Sequence, residues 1–205
     1  MKKLKKDIRQ ITKLELENFF LDHGAPKFRA HQVHEWIWKQ HQIDFNQMTN
    51  IPLNQRNLLK ENFVIRSIKI IKETKSQDGT IKFLFQLENN NVVEGVLIPQ
   101  LSRLTACISS QSGCSLACDF CATGKLKFNR NLYASEIYDQ VFLLNQYCLS
   151  KFQKPITNVV FMGMGEPLLN FKNVLKSIEH ITSAIGMGMS GKRITVSTVG
   201  ITQII

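Results

Sequence analysis

After Arg103, short apolar runs alternate with helix-length amphipathic ones, and few folds accommodate that order. Residues 104–109 read as a strand. Ser135 then caps a helix whose Ile137, Val141, Leu144 and Cys148 make a buried stripe. Pro155 breaks the chain before a second strand over 157–162. Asn170 caps a further helix, with Val174, Leu175, Ile178, Ile181 and Ile185 turned inward and Gly186 closing it, and residues 193–198 form a third strand. Such alternation lays parallel strands side by side and puts functional loops at their carboxyl ends. Three parallel strands alone leave an open edge and half-covered faces, so residues 101–205 read as the first part of a larger (βα) barrel, incomplete at its carboxyl terminus.

Two smaller segments precede it. Residues 1–63 read as a helical module. Thr12 caps a run in which Leu14, Leu16, Phe19 and Phe20 recur near helical spacing, and Gly24 closes it. A second helix over 28–40 turns Val33, Trp36 and Ile37 to one face, and a third over 54–62 follows the Pro52 break. Residues 64–100 switch to the two-residue period of strands. Ile65, Ile68, Ile70 and Ile71, then the turn Ser76-Gln77-Asp78-Gly79, then Ile81, Phe83 and Phe85 predict a β-hairpin, which residues 92–98 extend into a short sheet. The expected class is therefore α/β: a partial barrel preceded by a small helical module and a short β-hairpin sheet.

Composition narrows the function classes. Of 205 residues, 43% are hydrophobic and 20% charged, the pattern of a globular protein rather than a disordered one. No run approaches the ~20 apolar residues that cross a bilayer, and the start MKKLKKDIRQ is not followed by the apolar stretch of a signal peptide, so a cytoplasmic location is expected. Five cysteines without an export signal argue against a disulfide framework and for metal or redox work. The net charge of +10 suits a polyanionic partner. Lys2, Lys3, Lys5, Lys6, Arg9 and Lys13 crowd the leading end, either as a solvated terminus or as an RNA-contacting arm.

Three of the cysteines form the spacing C-x3-C-x2-C: Cys114, Cys118 and Cys121, on a loop directly after a strand. Structural zinc wants four closed ligands, and the nearest further thiol, Cys107, lies on the preceding strand. A [4Fe-4S] cube held by three thiolates keeps one iron free for an outside ligand, which is what S-adenosylmethionine requires. Zinc and inert buried thiols are the alternative readings. The turn Gly163-Met164-Gly165-Glu166 follows the second strand. There glycines allow close backbone approach, and a carboxylate can meet the positive amino group of S-adenosylmethionine.

With Phe120 before its third cysteine, the motif resembles the radical-SAM superfamily signature. The runs Val93-Glu94-Gly95-Val96-Leu97-Ile98-Pro99, Cys107-Ile108-Ser109-Ser110-Gln111-Ser112-Gly113-Cys114, Phe128-Asn129-Arg130-Asn131-Leu132, Gly163-Met164-Gly165-Glu166-Pro167 and Arg193-Ile194-Thr195-Val196-Ser197-Thr198 resemble the RNA adenine-C2 methyltransferases of the RlmN family over essentially the whole chain. Phe28-Arg29-Ala30 and Met48-Thr49-Asn50 are similar to that family's amino-terminal RNA-binding module. A sister family, Cfr, methylates carbon 8 of the same adenine and shares most of these motifs.

The resemblance implies a [4Fe-4S] cluster on Cys114, Cys118 and Cys121, and S-adenosylmethionine bound by Gly165, Glu166 and Ser197. It implies Glu94 as the base that takes the proton from the methylated carbon, and Cys107 as the resolving thiol that frees the base from a protein–RNA adduct. Methylation of carbon 2 of an adenine in 23S rRNA and tRNA is the implied activity. The implied partners are those RNAs and an electron donor such as flavodoxin, with a monomeric protein and no membrane. Lys125, Lys127 and Arg130 are candidate phosphate contacts beside the cluster loop. Cys148 is expected to be core. The family's methyl-carrying cysteine belongs to a carboxyl-terminal stretch that these 205 residues do not contain, so this chain by itself is expected to lack methyl transfer. The alternatives to that activity are a non-catalytic iron–sulfur or RNA-binding remnant, and carbon-8 methylation.

Overall fold

The structure, a computed structural model, describes residues 5–88, 90–116 and 118–201. Lys2 and Lys3 of the basic start, and Ala117 of the cysteine motif, lie outside the described residues. The chain divides into two compact units. One takes the described residues up to Arg66 together with Ser183–Gly188; the other takes Ser67–Thr182 and the described residues from Met189 onward.

In the first unit a short strand, β1 (Lys6–Asp7), leads into helix α1 (Lys13–Asp22). Thr12 and Glu15 make a reciprocal cap: the Glu15 amide donates to Thr12 Oγ1 at 3.1 Å and the Thr12 amide to Glu15 Oε2 at 2.5 Å. Gly24, at φ +70°, ends the helix as expected. Helix α2 (Phe28–His34) runs directly into a π-helical turn, Glu35–Lys39, closed by the Gln40 amide on the Glu35 carbonyl at 3.1 Å. The wider turn changes which aromatic faces inward. Trp38 is buried with Val33 and Ile37, whereas the indole of Trp36 reaches Asn50 Oδ1 at 2.6 Å. Helix α3 (Leu53–Asn62) follows Pro52, and β2 (Phe63–Val64) pairs in parallel with β1. Leu16, Phe20, Ala30, Val33, Met48 and Leu59 fill the core, each large side chain worth about 1.5–3 kcal/mol of apolar burial. Arg9, expected at a solvated end, is buried beside Asp7, with its guanidinium 5.9 Å from the Trp38 ring. Burial pushes the Asp7 carboxyl up, although Arg9 opposes that shift.

The second unit is built on one mixed sheet. Strands β3 (Lys69–Lys75), β4 (Ile81–Gln86), β5 (Val92–Pro99) and β6 (Leu104–Cys107) pair antiparallel in succession. The turn after β3 places Gly79 at φ +87° with its amide on the Ser76 carbonyl at 3.1 Å. Two short strands, β7 (Gln111–Ser112) and β8 (Arg130–Asn131), pair with each other outside the sheet. Helix α4 (Ala134–Phe152) then returns the chain to β9 (Asn158–Phe161), parallel to β6, and helix α5 (Phe171–Thr182) returns it to β10 (Ile194–Val196), parallel to β9. The order β10-β9-β6-β5-β4-β3 makes an open six-stranded sheet. The β-hairpin strands and the parallel strands thus share one sheet through the β5–β6 ladder.

Alternation sorts the two faces. Ile81, Phe83, Phe85, Val93, Leu97, Ala106, Val159 and Phe161 are buried on one face. Phe83 meets Tyr147 of α4 edge-on, 4.8 Å between ring centres. Ile137, Val141, Leu144 and Cys148 form the buried stripe of α4 that the spacing predicts. Two helix starts differ from expectation. Helix α4 begins one residue before Ser135; Tyr133 precedes it, and its amide donates to Glu136 Oε2 at 2.9 Å. A 3-10 turn, Pro167–Asn170, leads into α5, and Asn170 ties two loops instead of capping: its Nδ2 donates to the Ser110 and Leu132 carbonyls, both at 2.8 Å. Helix α5 ends at Thr182, before Ile185 and Gly186, and Leu175 is exposed.

Candidate functional site

The open face of the sheet carries the chemistry-bearing strand residues. Glu94 is opposite Leu84, and two places along β5 Val96 is opposite Cys107 of β6, which in turn is opposite Val160 of β9. Glu94 and Cys107 therefore lie on the same face of adjacent strands. The Glu94 carboxylate accepts from Lys82 Nζ at 3.0 Å, a pair about half exposed on both sides. Such a contact is worth no more than about 1 kcal/mol, so the carboxylate is free to turn to another partner. Cys107 is half-buried. Burial pushes its thiol up, and a backbone hydrogen bond from Met162 opposes that shift. Cys148, wholly buried on α4, is pushed up to about 11 by burial alone.

The cysteine motif occupies a lasso. The β7–β8 pair forms its neck, with Ser112 opposite Arg130, and the Asn129 amide on the Ser112 carbonyl at 2.8 Å. Gly113, at φ +78°, lets the two arms touch, because a Cβ there would meet the Lys127 carbonyl. Cys114, Cys118 and Cys121 are all half-exposed, and Phe120 is 92% exposed. Among the described residues, no three Cys, His, Asp or Glu side chains converge closely enough to hold a metal ion. The three thiols thus share the lasso without being gathered on one point. Their chemistry fits iron and sulfur nonetheless. The amides of Gly124 and Thr123 favour the Cys121 thiolate and lower its pKa, and thiolate is the form that binds metal.

The glycine turn after β9 packs on the strand end after β6. The Gly163 amide donates to the Ile108 carbonyl at 3.0 Å, and the Ser110 and Gln111 amides to the Met164 carbonyl at 2.9 and 3.1 Å. A Cβ on Gly163 would lie 2.6 Å from the Ile108 carbonyl oxygen. One on Gly165, at φ +93°, would lie 2.6 Å from Gln111 Cγ. These glycines allow the close approach of two protein segments, a demand the turn meets besides the ligand approach expected of it. Glu166 is only 4% exposed. Its Oε1 accepts from the Leu168 amide at 2.9 Å and from Thr198 Oγ1 at 2.5 Å, and its Oε2 from the Val199 amide at 3.1 Å. Glu166 thereby ties the turn to the segment after β10, where Ser197 stands exposed. Arg130 is not a free phosphate ligand. It is spent on Glu136 in α4, whereas Lys125 and Lys127 stay exposed.

Sequence reading assigned no role to Ser109, Gln140, Gln111 or Lys82. A polar Ser-Ser-Gln run after an apolar strand was the available signal for Ser109 and Gln111, since polar residues at a strand end are there to be hydrogen-bonded. A cavity of about 320 Å³ opens beside Glu94, lined also by Leu84, Asn91, Lys127, Asn129 and Met164.

Comparison with known proteins bears on both units. The family described as ribosomal RNA large subunit methyltransferase N-terminal domain matches residues 6–65. A relative from Christiangramia forsetii, named a probable dual-specificity RNA methyltransferase RlmN, is 52% identical over 205 residues, 100% of this chain and 58% of the relative. The dual-specificity RNA methyltransferase RlmN of Oleidesulfovibrio alaskensis is 46% identical over 198 residues, 95% of this chain and 55% of that protein. Among solved structures, a radical SAM methyltransferase from Sphaerobacter thermophilus superposes with a TM-score of 0.80 at 34% identity, over 94% of this chain and 57% of that one. The chain spans somewhat more than half the length of the relatives it matches, and over that span it belongs to the RlmN family.

Proposed function

We propose that the protein containing this chain is a radical S-adenosylmethionine methyltransferase acting on carbon 2 of an adenine in 23S rRNA and tRNA. The observation that carries the reading is the lasso. It bears three thiols, and its neck leads straight from the strand end that holds Cys107 and faces Glu94. Family membership supports the same reading.

Cys114, Cys118 and Cys121 would hold the [4Fe-4S] cluster. When bound, that cluster supplies the electron that breaks a carbon–sulfur bond of S-adenosylmethionine. Gly165, Glu166 and Ser197 would bind S-adenosylmethionine around the glycine turn. Glu94 takes the proton from the methylated adenine carbon, restoring aromaticity, and its half-exposed place on the open face gives it reach. Cys107, as thiolate, attacks the sulfur linking protein and RNA and releases the methylated base as a disulfide forms. The resemblance puts the methyl-carrying cysteine outside these 205 residues, so methyl transfer is proposed for the whole protein. Residues 1–63 would contact the RNA, residues 64–100 extend the sheet, and residues 101–205 begin a barrel. An electron donor such as flavodoxin, a cytoplasmic location and a monomeric state complete the reading.

Anaerobic reconstitution with iron and sulfide, followed by assay for 5′-deoxyadenosine, tests it. The expected result is a brown protein that cleaves S-adenosylmethionine and loses its iron when Cys118 is replaced by serine. A brown protein that never cleaves it points to a non-catalytic remnant. A colourless protein with one zinc per chain overturns the cluster. Methylation found at carbon 8 overturns the regiochemistry.

A further inference from the structure

Where β6 stops, a side chain takes over the ladder. Val96 is opposite Cys107, so in the antiparallel register the place opposite Glu94, two residues back along β5, falls to Ser109, two residues on from Cys107. Through Ile108 the chain still follows β9, since the Ile108 amide donates to the Val160 carbonyl at 3.0 Å, on the side away from β5. The backbone of Ser109 is engaged elsewhere too. Its amide donates to Gln140 Oε1 at 2.9 Å, and its carbonyl accepts from Gln140 Nε2 at 3.0 Å, both groups buried. Its hydroxyl is left to meet β5. Ser109 Oγ donates to the Glu94 carbonyl at 2.6 Å and accepts from the Met164 amide at 2.8 Å. Met164 closes the ring, because its sulfur accepts from the Glu94 amide at 3.3 Å. Both backbone groups of Glu94 that face this end of the sheet are therefore held by the glycine turn, one directly and one through a single buried hydroxyl.

We infer that Ser109 is a positioning residue that couples occupancy of the Gly163–Glu166 turn to the placement of Glu94. A hydroxyl has one proton to give, and here it is committed to Glu94 while its lone pair is committed to the Met164 amide. The turn cannot shift without stretching one of those bonds, since Gly163 is already packed 3.0 Å from the Ile108 carbonyl. A ligand that orders the turn thus orders the backbone from which the Glu94 carboxylate projects. Gln140 keeps Ser109 in register from α4. The inference rests on the proposed function in taking the ligand to be S-adenosylmethionine.

Amide hydrogen exchange of the reconstituted full-length protein, with and without S-adenosylmethionine, reads the coupling without reading activity. In the parent protein the cofactor should slow exchange at least several-fold both in 162–168 and in 92–97. Ser109→Ala should keep the first protection and lose the second, and Ser109→Thr, which restores the hydroxyl, should regain it. Met164→Leu, which removes the sulfur but keeps the amide, should weaken the second protection only in part. Protection of 162–168 with no change in 92–97 in the parent protein overturns the coupling and leaves cofactor binding intact. Persistence of both in Ser109→Ala also overturns it. No protection in either segment of the parent protein sinks the cofactor reading, and this inference with it.

Discussion

Arg130 grips Glu136 with two hydrogen bonds, Nη1 to Oε2 at 2.8 Å and Nη2 to Oε1 at 2.6 Å. The first residue belongs to the neck of the cysteine lasso and the second to the first turn of α4. The hydrogen bonds that Arg130 donates to Glu136 push its guanidinium up, and the carboxylate side chain is only 9% exposed. A paired, largely buried fork of this kind anchors the lasso to a long helix through geometry that an ammonium group cannot copy. Arg130→Ala should cost about 2 kcal/mol in urea unfolding, and Arg130→Lys should recover less than half of it. An Arg130→Lys variant as stable as the parent would show that the fork contributes only charge.

The glycine turn makes a sharper demand. Gly165→Ala adds a Cβ that has no room against Gln111, at a φ of +93° that side chains rarely adopt. Gly188, at φ +64°, has open space around the same position. Gly165→Ala should therefore destabilise the protein by about 3 kcal/mol or more, and Gly188→Ala by about 1 kcal/mol, measured as unfolding midpoints side by side. Equal losses would mean that backbone strain alone, and not packing on Gln111, sets the requirement.

Glu166 predicts a local effect. Its carboxylate accepts three hydrogen bonds, two of them from Thr198 and Val199. Glu166→Gln keeps one acceptor oxygen and introduces donors where the Val199 amide points. Exchange of the Val199 amide should rise at least tenfold, whereas the fully buried α4 stripe should stay protected.

The two thiols outside the cysteine motif, Cys107 and Cys148, separate by pH. Burial raises both, so at a given pH each holds less thiolate than a free cysteine, and the raised value delays reaction to higher pH. At pH 9 Cys148, at about 11, is thiolate to only about one part in a hundred. Alkylation mapped by mass should label Cys107 slowly as pH rises from 8 to 10 and leave Cys148 unlabelled until the protein unfolds. Labelling of Cys148 in the folded protein at pH 8 would contradict its burial.

Much of the architecture was legible because periodicity reports burial directly. The stripe Ile137, Val141, Leu144 and Cys148 and the alternation Ile81, Phe83, Phe85 each turn one face inward wherever the element is placed. Trp36 was misread for a local reason: a π-helical turn inserts one extra residue into the period, and nothing in Glu35-Trp36-Ile37-Trp38 announces it. The helix starts were misread because Ser135 and Asn170 are good caps by type, yet Asn170 finds better use bridging the Ser110 and Leu132 carbonyls, partners 60 and 38 residues away.

The amino-acid order by itself determined the class of elements, the cysteine spacing and the family, since all of these depend on residues close together in the chain or on similarity along it. Only the tertiary structure decided that Glu94 and Cys107 share a face, that the glycines of the turn make way for protein, and that Ser109 stands where β6 would have continued. Those facts hang on register between strands and on which loop fills the end of a ladder. A hydroxyl 2.6 Å from a carbonyl fifteen residues away is a product of packing, and packing is settled only when the whole sheet has formed.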